Sequence, residues 1–206
     1  MPAEPLTAVA LVCTLTPSPE ESSSQLMAEQ IMDALGTHGV TGPVIRVVDH
    51  DVRPGVQLDM GDGDAWPRIR QQIIGADLLV ISTPTWLGQP SSITQRVLER
   101  LDAELSEKDD EGRLLTYGKV AIAGVVGNED GAHHISSVLF QALNDVGFSL
   151  AAGAVTYWND QVAGEYRDYK DLPQTPDGVA STTRTAAANA VHLARLLHES
   201  QYPATS

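Results

Sequence analysis

The sequence predicts an α/β protein built on a parallel sheet with helices on both faces. Three observations carry this. Five short apolar runs are separated by segments whose apolar residues recur at helical spacing. The runs are continuous rather than alternating, as strands buried on both faces require. Strands that alternate with helices in this way also build parallel sheets by crossover connections.

The first run is Leu6 to Cys13, and a polar, proline-containing loop follows it. Met27, Ile31 and Leu35 place a helix from about Ser24 to Leu35, stopped by Gly36 and Gly39. Val44 to Val48 is the second strand. An acidic, glycine-rich stretch around Asp59 to Asp64 leads to a helix holding Ile69, Ile73 and Ile74. Asp77 to Ser82 is the third strand. Pro90, Ser91 and Ser92 open a helix whose apolar stripe is Ile93, Val97, Leu98 and Leu101. Ser106 to Arg113 reads as an exposed charged loop. Lys119 to Val126 is the fourth strand, and Ile135, Val138, Leu139, Ala142 and Val146 mark the helix after it. Phe148 to Trp158 is the fifth strand, with Gly153 and its neighbouring alanines weakening the pattern. A loop rich in Asp, Tyr and Pro precedes a last helix from about Val179 to Leu197. Residues 1–206 read as a single domain, without repeats or an interdomain linker.

Thirteen Lys and Arg against 27 Asp and Glu give a formal net charge of −14. Such a surface repels phosphate backbones and anionic lipid, which argues against nucleic-acid and membrane partners. No stretch approaches the roughly 20 apolar residues of a membrane span, and the first residues lack the pattern of a signal peptide. A lone cysteine, Cys13, permits no internal disulfide, and the expected compartment is the cytoplasm.

Right-handed crossovers allow two common doubly wound strand orders, the Rossmann and the flavodoxin-like. Both place ligands beyond the carboxyl ends of the strands. The loops after the first, third and fourth strands therefore carry the chemistry.

The first loop, Thr14 to Ser24, holds two threonines and four serines in eleven residues. With a following helix N-terminus, hydroxyls of this kind supply the converging donors that a phosphate needs. Ser18-Pro19-Glu20-Glu21 offers a competing helix start, which would carry Ser22 to Ser24 inside the helix. The loop has neither G-x-G-x-x-G nor G-x-x-x-x-G-K-[ST], so dinucleotide and P-loop sites find no support. Cys13 lacks the arginine six residues on that a cysteine phosphatase loop needs, since Pro19 stands there, and it reads as a buried core residue.

The second loop runs from Thr83 through Pro84, Thr85, Trp86, Leu87, Gly88, Gln89 and Pro90 to Ser91 and Ser92. An apolar, aromatic segment at a sheet mouth is costly to expose unless something covers it, and a flat ring would. The alternatives are packing on a neighbouring loop or on a subunit partner. The third loop, Gly127 to His134, turns on Gly127 and Gly131, with Asp130 expected to cap the next helix. His133 and His134 read as surface residues, and nothing beside them forms a metal site.

Together, Thr83-Pro84-Thr85-Trp86-Leu87-Gly88-Gln89-Pro90-Ser91-Ser92 and Gly127-Asn128-Glu129-Asp130-Gly131-Ala132-His133 resemble the second and third flavin loops of the NAD(P)H-dependent FMN reductase family, within the flavodoxin-like superfamily. The resemblance covers about residues 6 to 160. It implies a three-layer sandwich whose five-stranded parallel sheet has the order 2-1-3-4-5, with FMN at the strand ends. Thr14, Thr16, Ser22, Ser23 and Ser24 would hold its phosphate. Pro84, Thr85, Trp86, Leu87 and Gly88 would line the ribityl chain and one side of the ring. Gly127, Asn128, Glu129, Asp130 and Gly131 would face the pyrimidine edge, with Glu129 and Asp130 contributing backbone. Many reductases of the family carry a basic residue in the first loop, and this sequence has none there.

The function implied is an FMN-dependent oxidoreductase that accepts hydride from NADH or NADPH. It would pass electrons to a small acceptor such as a quinone, an azo compound or free flavin. Stacked-ring hydride transfer requires no catalytic side chain, and none is assigned. A homodimer is implied by the resemblance alone. The competing readings are a flavodoxin-type electron carrier and a binding module that uses the same fold without flavin.

Overall fold

A computed structural model describes residues 5–160 and 166–204. In chain order the elements are β1 (Ala8–Val12), α1 (Ser23–Gly36), β2 (Val44–Arg46), α2 (Trp66–Gly75), β3 (Leu78–Trp86), β4 (Gln89–Pro90), α3 (Ser92–Leu101), β5 (Val120–Gly127), α4 (Ala132–Asp145), β6 (Ser149–Asn159) and α5 (Asp177–Glu199). The sheet order is β2-β1-β3-β5-β6, with every one of these pairs parallel. Leaving aside the two-residue β4, this is the 2-1-3-4-5 order of the flavodoxin-like fold.

The continuous apolar runs become strands buried on both sides. All five residues of β1 are buried. One core layer packs Trp66, Ile69 and Ile73 of α2, Val97 and Leu101 of α3, and Ile135, Leu139 and Leu143 of α4 against Leu11, Ile81 and Ala123. The opposite layer packs Met27, Ile31 and Leu35 of α1 and Ala186, Ala190 and Ala194 of α5 against Ala10, Val80 and Ile122. Cys13 lies in the first layer, fully buried, and burial pushes its thiol up to about 12.

Two sequence expectations change. The third strand does not stop at Ser82. It runs on to Trp86, because Thr83 and Pro84 still pair with Val125 and Val126 of β5. Thr85 and Trp86 then fold back antiparallel on Pro90 and Gln89, which makes half of the predicted second loop a hairpin. The weak periodicity around Gly153 is a register shift in the β5–β6 ladder, where Gly153 takes a φ of 69°. The loop expected after Trp158 falls partly outside the described residues, which omit 161–165.

The long stretch between β2 and α2 is fixed by a buried ion pair. Arg100 Nη1 meets Asp64 Oδ2 at 2.7 Å, with both side chains fully shielded from solvent. Arg100 also donates to the carbonyls of Arg53 and Gln57, and Asp64 accepts from the N–H groups of Met60, Trp66 and Arg53. This hub gives the polar stretch an anchor that apolar burial cannot supply.

Candidate functional site

At the carboxyl ends of β1, β3 and β5 the three loops meet in one cleft of about 150 Å³ that opens to solvent. Thr14, Thr16, Ser22, Ser23, Ser24, Pro84, Thr85, Trp86, Gly127 and Asn128 line it, all of them singled out from the sequence. Leu87, Gly88, Glu129, Asp130 and Gly131 do not line it. They form the hairpin tip and the turn that support its rim.

The first loop is held from two sides. Ser18 donates its N–H and its hydroxyl to Asp49, at 2.8 and 2.6 Å. That hydroxyl, then the N–H, holds the Asp49 carboxyl below its usual range. From β2, Arg46 Nη1 donates to the carbonyl of Glu20 at 2.7 Å. The helix begins after this clamp and not at Ser18. Ser22 is the N-cap of α1, and its Oγ accepts the Gln25 N–H at 3.3 Å. The N–H groups of Ser23 and Ser24 therefore stand in the first turn without a partner among the described residues. The Ser22 and Ser23 hydroxyls act here as acceptors, and each retains its own proton to donate.

From the sequence, the Tyr- and Asp-containing loop after Trp158 is a candidate cover for the flavin or a dimer contact, but it singles out no residue of the wall opposite this helix end. Asp168, Tyr169 and Lys170 line the same cleft, as do Glu21 and Val126. The ring of Tyr169 is buried 5.5 Å from that of Trp158, and its hydroxyl donates to Gln30 at 2.6 Å. That anchor delivers Lys170, whose N–H reaches Ser23 Oγ at 3.2 Å and whose ammonium pairs with Asp171 at 2.9 Å. The Asp171 hydrogen bond raises the ammonium above its ordinary value. The basic residue absent from the first loop thus arrives from a segment almost 150 residues away. Asn128 Nδ2 reaches Asp168 Oδ1 at 3.2 Å and ties the same segment to the third loop. No spacing in the sequence connects these residues. The one local signal was the polar, Tyr-containing composition of the stretch.

The second and third loops pack together through glycine. A Cβ on Gly131 would stand 2.7 Å from Gly88 Cα, and one on Gly127 would stand 2.8 Å from Thr85 Oγ1. That Thr85 hydroxyl is buried and has no hydrogen-bond partner among the described residues. Asp130 does not cap α4 as expected. Gly131 is the N-cap residue, and the Asp130 carboxylate accepts its N–H at 2.7 Å. Glu129 acts through its side chain rather than only its backbone, accepting the Leu87 N–H at 2.6 Å. At the rim, Trp86 is 53% and Leu87 91% exposed. His133 and His134 are exposed, bonded to Tyr157 and Gln89. Among the described residues no group of three or more His, Cys, Asp or Glu is placed to hold a metal ion.

Chemically, the cleft lining offers the free N–H groups of the first turn of α1 and several hydroxyls, with Lys170 beside the Glu21 and Asp168 carboxyl groups. Its lining also includes Thr85 and the exposed Trp86.

The profile of the NADPH-dependent FMN reductase family matches residues 8–163. A relative in Streptomyces davaonensis, 8-demethyl-8-aminoriboflavin-5'-phosphate synthase, is 31% identical over 206 residues, covering 96% of this chain and 80% of that protein. Divalent metal cation transporter MntH of Mycobacterium bovis is 32% identical over 200 residues, but the chain spans only 29% of its length. Among solved structures, RosB with bound 8-demethyl-8-formylriboflavin-5'-phosphate superposes with a TM-score of 0.87 at 32% identity, over 96% of this chain and 82% of that one. An NADH:FMN oxidoreductase in its apo form gives 0.68 at 16% identity, over 93% and 89%, a likeness of fold alone. The family match spans three quarters of the sequence and contains all three loops of the cleft, so the chain belongs to the NADPH-dependent FMN reductase family and is a flavin-dependent oxidoreductase of that family.

Proposed function

We propose that the cleft binds FMN and that the protein draws hydride from NADH or NADPH and delivers the electrons to a small acceptor, a quinone, an azo compound or free flavin. The observation that carries this reading is the meeting of the α1 N-terminus, its serine hydroxyls and Lys170 in one cleft whose mouth carries an exposed indole.

The residues present fit the cofactor. A phosphate dianion is matched by the Ser23 and Ser24 N–H groups, the first-loop hydroxyls and the Lys170 ammonium. The unpartnered Thr85 hydroxyl gives a polyol chain its partner further along. The cleft, at about 150 Å³, is smaller than the roughly 300–1,000 Å³ pockets that bury whole drug-sized ligands. Trp86 and the Gly127–Gly131 turn would hold the three-ring system at the mouth of the cleft. When bound, FMN supplies hydride acceptance and electron release. The chain's part is to hold the phosphate and seat the ring. Glu129 and Asp130 are turned to backbone N–H groups of the protein, at Leu87 and Gly131. Their charge is thereby partly answered near a site where negative charge builds on reduction.

A second reading draws on the Streptomyces relative, whose name makes a riboflavin phosphate derivative its product. On that reading the bound flavin phosphate is itself transformed. The two separate by the mass of the flavin recovered after turnover, which stays that of FMN if FMN is the cofactor.

We further infer a cytoplasmic homodimer. The high acidity and lone buried cysteine support the compartment, and exposed Trp86 and Leu87 give a second subunit apolar surface to cover. No helix among the described residues is long and apolar enough to cross a membrane. The test of the main reading is an anaerobic addition of NADH, then NADPH, to FMN-loaded protein. Bleaching of the flavin band by either supports a reductase. A band unchanged by both supports a carrier instead.

A further inference from the structure

Leu87 is placed against the preferences of its own backbone. It and Gly88 are the two central residues of the β3–β4 hairpin, with φ values of 51° and 72°. Two-residue hairpins with both central φ positive favour Asn-Gly or Asp-Gly, because most side chains crowd the backbone there. Leucine has no side-chain hydrogen bond to compensate, and at 91% exposure it gains nothing from burial. Local propensity and packing therefore both leave this turn unexplained.

The explanation sits on the facing loop. Glu129 Oε1 accepts the Leu87 N–H at 2.6 Å, a charge-assisted bond between residues on different loops. Directly beside it, Gly131 and Gly88 approach so closely that a Cβ on Gly131 would lie 2.7 Å from Gly88 Cα. The carboxylate thus closes a latch: it holds the hairpin tip in its left-handed turn and against the Gly127–Gly131 loop. Trp86, the aromatic residue of the cleft mouth, is the residue immediately before the latched N–H.

We propose that Glu129 is a positioning residue that fixes the Trp86–Gly88 tip through its side chain, and so sets the seat of the flavin ring without touching the reacting atoms. The proposal rests on the FMN reading of the cleft for its effect on binding, while the latch itself is a property of the free protein. It also places a carboxylate beside the ring site, so that neutralising it without losing the acceptor raises the midpoint potential of bound flavin.

The experiment compares Glu129→Ala, Glu129→Gln and the double variant Glu129→Ala/Leu87→Asn with the parent. Amide hydrogen exchange is measured at Leu87 in flavin-free protein, FMN affinity by fluorescence titration, and midpoint potential on loaded protein. Glu129→Ala is expected to speed Leu87 exchange and weaken FMN binding by about tenfold each. Asn adopts the positive-φ turn readily, so the double variant is expected to recover FMN affinity to within about threefold of the parent. Glu129→Gln is expected to bind FMN nearly as well as the parent, with a raised potential. Leu87 exchange unchanged in Glu129→Ala, or affinity not regained in the double variant, overturns the proposal. Parent protein that takes up no FMN overturns the flavin reading instead, and the exchange result still decides the latch.

Discussion

The backbone N–H of Lys170 donates to the hydroxyl of Ser23 at 3.2 Å, joining the segment beyond β6 to the first turn of α1. This contact turns a loop of hydroxyls into a cleft with a cation. It also makes Lys170 one of the groups that separate recognition of FMN from recognition of riboflavin. Lys170→Gln is expected to weaken FMN binding on the order of tenfold while leaving riboflavin affinity unchanged. Fluorescence-quenching titrations with the two flavins measure both. Equal losses for the two would mean that the lysine acts on the fold and not on a phosphate.

Asp64 makes stability depend on acid. Burial pushes its carboxyl up, but the Met60 N–H, Arg100, and the Trp66 and Arg53 N–H groups outweigh burial and hold it at about 2. The unfolded value is about 3.9, so the carboxylate's contribution is complete above pH ~4 and is lost as the pH falls through about 2. Roughly 2 kcal/mol disappears across that window. Asp64→Asn leaves the Arg100 guanidinium buried without its counter-ion and is expected to cost about 3–5 kcal/mol. Urea unfolding at pH 7 and pH 3 checks both, and the variant should lose less stability between the two than the parent does.

Gly131 allows the second and third loops to touch. Its φ of 148° and the 2.7 Å approach of Gly88 Cα leave no room for a methyl group. Gly131→Ala is expected to lower stability by about 1–3 kcal/mol and to reduce FMN affinity. Thermal melting and flavin titration read the two effects. Full affinity in a folded variant would show that the two-loop contact does not shape the ring seat.

Cys13 is a core residue with a thiol pushed up to about 12. Native protein is therefore expected to resist aromatic disulfide reagents, and urea-unfolded protein to react with one equivalent. Rapid labelling of the native form would contradict its place beneath the first loop.

Much of the fold was legible because each strand buried on both faces writes itself as a continuous apolar run, as Ala8–Val12 does. The lining of the cleft was legible where it lies at the carboxyl end of a strand, at Thr14, Pro84 and Gly127. Three features were hidden, each for a physical reason. Lys170 owes its place to Tyr169 packing on Trp158, a contact between residues that no periodicity connects. The β3–β4 hairpin carries Leu-Gly where Asn-Gly would announce a turn, and its support is a carboxylate on another loop. Arg100 is outside the apolar stripe of α3, yet it is wholly buried because Asp64 and two carbonyls receive it. Partners that satisfy a buried charge are tertiary, and a single sequence does not display them.

The most direct test of the account is the affinity of FMN relative to riboflavin, in the parent protein and in Ser22→Ala/Ser23→Ala/Ser24→Ala. The account predicts that FMN binds at least about tenfold more tightly than riboflavin in the parent, and that the serine variant loses most of this difference. Equal affinity for the two flavins in the parent would contradict a phosphate seated at the N-terminus of α1, and a preference for FMN that survives loss of the three hydroxyls would contradict their part in holding it.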